Sequence, residues 1–165
     1  MRNNSSINIK PSGVLSQNLT PESISTVDID SGSHISGLKP SSDLDTHLVL
    51  YREYPEINAI IHTHSEYATS WAQSGMPIPC LGTTHADYWI SDIPITDSLS
   101  SDNIENDYVQ NTGLAIVRIL NELKLNPKNT PGILVKHHGP FVWGETIEKA
   151  YEHAIILEYI AKLAL

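Results

Sequence analysis

At 165 residues, 40% hydrophobic and 18% charged, the sequence has the size and composition of one globular domain with a real core. A net charge of −9, from 10 Lys+Arg against 19 Asp+Glu, excludes a broad nucleic-acid-binding face, which needs basic patches, but not a small phosphorylated ligand. The lone cysteine, Cys80, excludes an internal disulfide or a cysteine-rich zinc site and reads as a small buried hydrophobe. There is no signal-peptide core and no apolar run of membrane-spanning length, so the expectation is a cytoplasmic protein with no membrane partner.

Along the chain, Ser5 to Lys10 alternates apolar and polar residues as a half-buried strand does, and Pro11-Ser12-Gly13 breaks it. Thr20 to Asp30 holds a turn and a second short strand. Ser31-Gly32-Ser33 is a turn, and Lys39-Pro40-Ser41-Ser42-Asp43 is a loop. A helix follows over Leu44–Tyr54, with Leu44, His47, Leu48 and Tyr51 on one side, Ser42 or Asp43 at its cap, and Pro55 as its stop. Ile57–Ile61 is a buried strand, and Ser65 caps a helix that ends at Gly75 and Pro77. Residues 76–100 are loop-rich. One long amphipathic helix is predicted over Asn103–Lys124, weakened at Gly113 and closed by Asn126-Pro127. Gly132–Lys136 and Pro140–Trp143 are strands joined by His137-His138-Gly139, and a last helix covers Thr146–Leu165. Helices and strands alternate, which predicts a layered α/β fold with no internal repeat. The chain starts almost inside a strand and stops inside a helix, so it reads as clipped at both ends.

His62 and His64 flank Thr63 where the strand over Ile57–Ile61 gives way to a helix. Side chains at i and i+2 of a strand share a face, so two imidazoles point one way and make half of a metal site. Catalytic zinc takes three protein ligands and leaves a fourth position open. The third ligand must come from elsewhere: His138, after a second buried strand, leads; His137 competes by adjacency and His85 is a further candidate. His34, His47 and His153 read as structural or solvated.

Two loops, Pro11-Ser12-Gly13 beside Lys10 and Pro40-Ser41-Ser42-Asp43, are rich in hydroxyls and free N–H groups that can hold an anion, although such stretches are commonly plain turns. Asp43 reads either as the cap of the following helix, which the local sequence favours, or as an acid/base facing the metal. Asp87, within Thr83-Thr84-His85-Ala86-Asp87-Tyr88, is either a tuned carboxylate or an exposed one.

Six stretches occur in order: Ile9-Lys10-Pro11-Ser12-Gly13-Val14, Lys39-Pro40-Ser41-Ser42-Asp43, Ile61-His62-Thr63-His64-Ser65, Ala68-Thr69-Ser70-Trp71-Ala72-Gln73, Gly82-Thr83-Thr84-His85-Ala86-Asp87-Tyr88 and His138-Gly139-Pro140-Phe141-Val142-Trp143-Gly144. Together they resemble the L-ribulose-5-phosphate 4-epimerases of the class II aldolase/epimerase superfamily over essentially the whole chain. The resemblance implies a three-layer α/β/α fold with a central, mostly antiparallel sheet, and a single class II aldolase/adducin-type domain over residues 1–165. It implies Zn2+ held by His62, His64 and His138. It implies substrate phosphate near Lys10, Ser12, Gly13, Ser41 and Ser42, with Asp43 near the metal. Asp87, with Thr83 beside it, matches the acid/base that serves a neighbouring subunit of a homotetramer. The implied partner is a small sugar phosphate, and the implied reaction is C4 epimerisation of a pentose 5-phosphate in arabinose- or ascorbate-type catabolism, by C3–C4 cleavage and re-addition.

The sequence departs from the family in places. The family's second acid/base, a tyrosine well downstream of the ligands, has no counterpart before Leu165, and the opening helix and Gly-Asn-x-Ser loop have none before Ser5. Lys136 stands where a His-Ser-His pattern begins, and Trp89-Ile90-Ser91 varies the usual continuation. These gaps predict an incomplete site with impaired turnover. The competing expectations are a fuculose-phosphate-type aldolase and a catalytically inactive fragment.

Overall fold

The apolar runs become seven short antiparallel strands, described over residues 1–165 by a computed structural model. Strands β1 (Arg2–Asn3), β2 (Ser6–Ile9), β3 (Ser25–Asp28) and β4 (His34–Ser36) pair in that order. Strands β5 (Ala59–His62), β6 (Gly132–Val135) and β7 (Gly139–Gly144) form a second block in the order β5-β7-β6. The Arg2 N–H donates to the Asn58 carbonyl at 2.7 Å and brings β1 alongside the start of β5, so the blocks make one central surface in two parts. The Arg2 guanidinium secures the junction by donating to the backbone carbonyls of Tyr51 and Ile57.

Helices α1 (Leu44–Glu53), α2 (Glu66–Ser74), α3 (Thr83–Ala86), α4 (Ser101–Glu105), α5 (Tyr108–Glu122) and α6 (Ile147–Leu163) complete the chain. Strand alternation sorts the β5-β7-β6 block into two faces. Ile60, Ile133, Val135, Phe141 and Trp143 join one apolar cluster with Leu48 and Tyr51 of α1 and Ile116 and Leu120 of α5. Leu134 and Val142 join the other, with Ala68 and Ala72 of α2 and Leu157, Ile160 and Ala161 of α6. The result is helices, sheet and helices in three layers, as expected from the sequence.

Several local expectations need correcting. The predicted helix over Asn103–Lys124 is two helices, because Asp107 adopts a left-handed conformation (φ 55°) between α4 and α5. Asn and Asp tolerate that conformation and compete for backbone groups. Here the Asn106 side chain donates to the Asp102 carbonyl at 3.2 Å, and Asn111 donates to the Asn106 carbonyl at 2.6 Å, which satisfies the broken ends. Helix α5 ends before Asn126-Pro127, with Lys124 left-handed and the Leu125 N–H reaching back to the Leu120 carbonyl at 2.8 Å. Ser65 occupies the cap position of α2, but its hydroxyl is buried without a partner. The capping acceptor is distant in sequence: the Glu158 carboxylate takes the N–H groups of Tyr67 (2.8 Å) and Ala68 (2.9 Å). His34 lies in exposed β4, just after the predicted turn, and Cys80 is half-buried rather than buried.

Gly113 is the contact point of α5 with α1, where a Cβ would lie 2.8 Å from Val49 Cβ and 3.2 Å from Thr46 Cα. The helix tolerates the residue because the packing requires it. Gly113→Val is expected to destabilise the fold by about 2–3 kcal/mol through overpacking, read as a lower urea midpoint. His47 is buried on α1, edge-on to Phe141 at 5.8 Å, and burial, reinforced by nearby His62, pushes its pKa down to about 3. Below the unfolded value of about 6.5, the unfolded chain binds a proton that folded His47 refuses. Stability is therefore intact above that value and falls as pH drops toward 3, by about 2 kcal/mol at pH 5, and the slope should flatten in His47→Asn. Urea titrations at pH 5 and 7 on both proteins check this.

Candidate metal centre

Strand β5 delivers His62 at its end, opposite Phe141 of β7 and on the Ile60 face. Phe141 lies flat beneath the imidazole, with ring centroids 4.1 Å apart and 14° between planes, and is fully buried. His64 follows two residues on, before α2 begins. His138 arrives on the β6–β7 turn, where His137 is left-handed (φ 63°) and the His138 N–H closes onto the Val135 carbonyl at 3.0 Å. Gly139 lets these segments meet, because a Cβ there would lie 2.8 Å from the Thr63 carbonyl oxygen and 3.3 Å from His64 Cδ2.

The three rings converge, with one nitrogen from each within 4.8 Å of the others. His62 Nε2 and His64 Nε2 are 3.1 Å apart, close to the roughly 3.3 Å expected between two nitrogens on one tetrahedral zinc. Two of the three rings have a partner on Nδ1. His62 Nδ1 lies 2.9 Å from the Pro140 carbonyl oxygen, which only a protonated Nδ1 can satisfy, so its Nε2 keeps a bare lone pair. His138 Nδ1 lies 3.2 Å from the Tyr108 hydroxyl. Burial pushes His62 down to about 4, and burial followed by the neighbouring His64 lowers His138, so these two rings are neutral near pH 7. Neutral, pre-aimed imidazoles with a partly exposed approach suit a cation that keeps an open coordination position. This group could hold a metal ion. Of the other candidates for third ligand, His137 is exposed on the turn and His85 is buried against the Ser91 carbonyl, and neither joins the cluster.

Beside the triad lies a cavity of about 470 Å³ whose lining includes Lys10, Ser41, Asp43, His47, Tyr51 and His62. The Asp43 side chain makes no capping bond to α1. It lies within hydrogen-bond reach of the Ser41 hydroxyl, and its charge acts on His62 and His138, so the cap that the local sequence favours does not form. The two hydroxyl-rich loops are neighbours: Pro11 pairs with Pro40, and the Ser12 N–H donates to the Lys39 carbonyl at 2.9 Å. Lys10 curls over its own loop, with Nζ donating to the Val14 carbonyl. Ser12, Gly13 and Ser42 belong to these paired loops without lining the cavity. Thr83 lines a separate hollow with Gly82, His85 and Ile160. Asp87 opens onto another, with Lys149 and His153. Within one chain, then, neither meets the histidines in a shared cavity. Sequence reasoning missed Tyr108, Glu158 and the stacking floor Phe141; the only local signal was the Asn106-Asp107 pair that breaks the helix before Tyr108.

No helix is long and apolar enough to cross a membrane. Comparison with known proteins agrees with this geometry. An L-ribulose-5-phosphate 4-epimerase UlaF from Salmonella paratyphi C (strain RKS4594) is 47% identical over 156 residues, which is 94% of this chain and 68% of that protein. A protein of the same name from Salmonella typhi is 46% identical over 157 residues, again 94% of this chain and 68% of the relative. Among solved structures, an L-fuculose 1-phosphate aldolase superposes with a TM-score of 0.78 at 24% identity over 96% of this chain and 68% of that one, a likeness of fold. YgbL from Escherichia coli superposes with a TM-score of 0.73 at 27% identity, over 96% of this chain and 72% of its own. All of residues 1–165 match the class II aldolase and adducin N-terminal domain, and the chain belongs to that family.

Proposed function

We propose that residues 1–165 form one catalytic domain that interconverts L-ribulose 5-phosphate and D-xylulose 5-phosphate with Zn2+ held by His62, His64 and His138. The convergence of the three rings carries the reading, supported by the identity to proteins named for that epimerase. A zinc ion there supplies Lewis acidity to the substrate's carbonyl and adjacent hydroxyl oxygens. The paired loops carrying Lys10, Ser12, Gly13, Ser41 and Ser42 offer the phosphate a cationic side chain, hydroxyls and backbone donors. Asp43, whose charge reaches two of the three ligands, binds the substrate's reacting end and handles its protons. Removal of the C4 hydroxyl proton lets the C3–C4 bond break, with its electron pair moving toward the C2 carbonyl. Glycolaldehyde phosphate then turns, and re-addition to its other face inverts C4. Asp87 and Thr83, which open onto other cavities, serve the triad of a neighbouring copy, in keeping with a homotetrameric cytoplasmic enzyme of pentose catabolism.

Purified protein is expected to carry about one zinc per chain, and His62→Ala to carry little. Zinc content near zero in both would refute the metal site. With L-ribulose 5-phosphate as substrate, D-xylulose 5-phosphate should accumulate and stop after exhaustive chelation, and Asp43→Asn should cut the rate by about 10²–10⁴-fold with zinc retained. Release of aldehyde without inversion would instead identify a sugar-phosphate aldolase, and neither product would identify an inactive domain.

A further inference from the structure

Tyr108 is assigned no role by the motifs above, yet it makes the one side-chain contact to the outer nitrogen of the third ligand. Its hydroxyl lies 3.2 Å from His138 Nδ1, with the two rings 6.0 Å apart and tilted by 39°. The contact is therefore hydroxyl to nitrogen, not ring on ring. Tyr108 is 37% exposed and belongs to neither apolar cluster, so core packing does not explain its placement.

Backbone conformation on both sides favours this meeting. The residue before Tyr108, Asp107, and the residue before His138, His137, are both left-handed non-glycine residues. Each costs on the order of 1–3 kcal/mol, and such costs persist where the surrounding structure holds them in place. One breaks the helix ahead of Tyr108; the other turns the hairpin that presents His138.

We propose that Tyr108 is a positioning residue for the metal: its hydroxyl oxygen accepts the Nδ1 proton of His138 and leaves Nε2 bare for the cation. This inference rests on the metal reading of the triad. The hydrogen bond has two polarities. If the tyrosine donated, the imidazole proton would sit on Nε2 and block ligation; only the Nδ1–H donor form is compatible with a bound ion. His62 shows the same arrangement, with its Nδ1 against the Pro140 carbonyl. Outer partners of this kind set tautomer and ring orientation, and their loss typically weakens metal binding about 10–100-fold.

The test uses the full chain and Zn2+ alone, with affinity measured by chelator competition for wild type, His62→Ala and Tyr108→Phe. Tyr108→Phe removes one oxygen from a partly exposed ring, so its metal-free thermal midpoint should match wild type. Its zinc affinity should fall about 10–100-fold, and the His138 Nδ1–H resonance of the zinc-loaded protein, slow to exchange in wild type, should be lost. Wild-type affinity with the resonance retained in Tyr108→Phe overturns the inference while leaving the metal site standing. Equal failure of wild type and His62→Ala to bind zinc overturns the metal reading and the inference with it.

Discussion

The antiparallel register of β5 against β7 sets His62 opposite Phe141, and the geometry of the histidine cluster follows from that pairing. The same strand, β7, pairs on its other side with β6, and the turn between them carries His138. One buried strand thus holds both histidine-bearing segments. A slip of one residue would send His62 to the α2/α6 face, because side chains alternate across a sheet. Phe141 and Trp143 on one face and Val142 on the other penalise such a slip, since each is matched to its own apolar cluster. Burying side chains of this size contributes roughly 1.5–3 kcal/mol each, enough to specify register.

The helices then tune what the sheet presents. Glu158 of α6 ties down the first turn of α2 and so fixes the path of the chain leaving His64. Close packing of α5 on α1 through Gly113 sets where the first residue of α5, Tyr108, can reach. Asp43 enters the cavity because the helix it precedes does not use its carboxylate as a cap. The three histidines, Asp43 and the two hydroxyl-rich loops therefore come from separate stretches of chain, and Lys10, Ser41, Asp43 and His62 meet at one cavity.

Charge placement is consistent with this division. The overall charge is −9, while the cavity beside the triad brings one lysine, one aspartate and the imidazoles of His47 and His62 together. Burial keeps His62 and His138 unprotonated near neutrality, which favours a cation over a proton in competition for the same lone pairs.

Much was legible locally. The alternating run over Ser5–Lys10 marked β2, short continuous apolar runs marked β5, β6 and β7, the His62-Thr63-His64 spacing put two imidazoles on one side, and glycine after His138 marked a tight turn. These signals depend on nearest neighbours along the chain, which is where strand alternation and turn preferences act. Local spacing left three histidines competing for the third ligand position, which the resemblance narrowed to His138; it left Asp43 as a cap or a residue near the metal, and it misread the cap of α2 and the continuity of the helix over Asn103–Lys124. The cap of α2 and the setting of Asp43 were decided by partners far away in the chain, Glu158 for Tyr67 and Ala68 and the cavity wall of Lys10 and His62 for Asp43, whereas the helix break before Tyr108 is made locally at left-handed Asp107. The sequence determined which residues could ligate and which face of their strand they share. Only the tertiary structure decided which nitrogens meet, because that depends on strand register and helix packing, which join residues by distance in space.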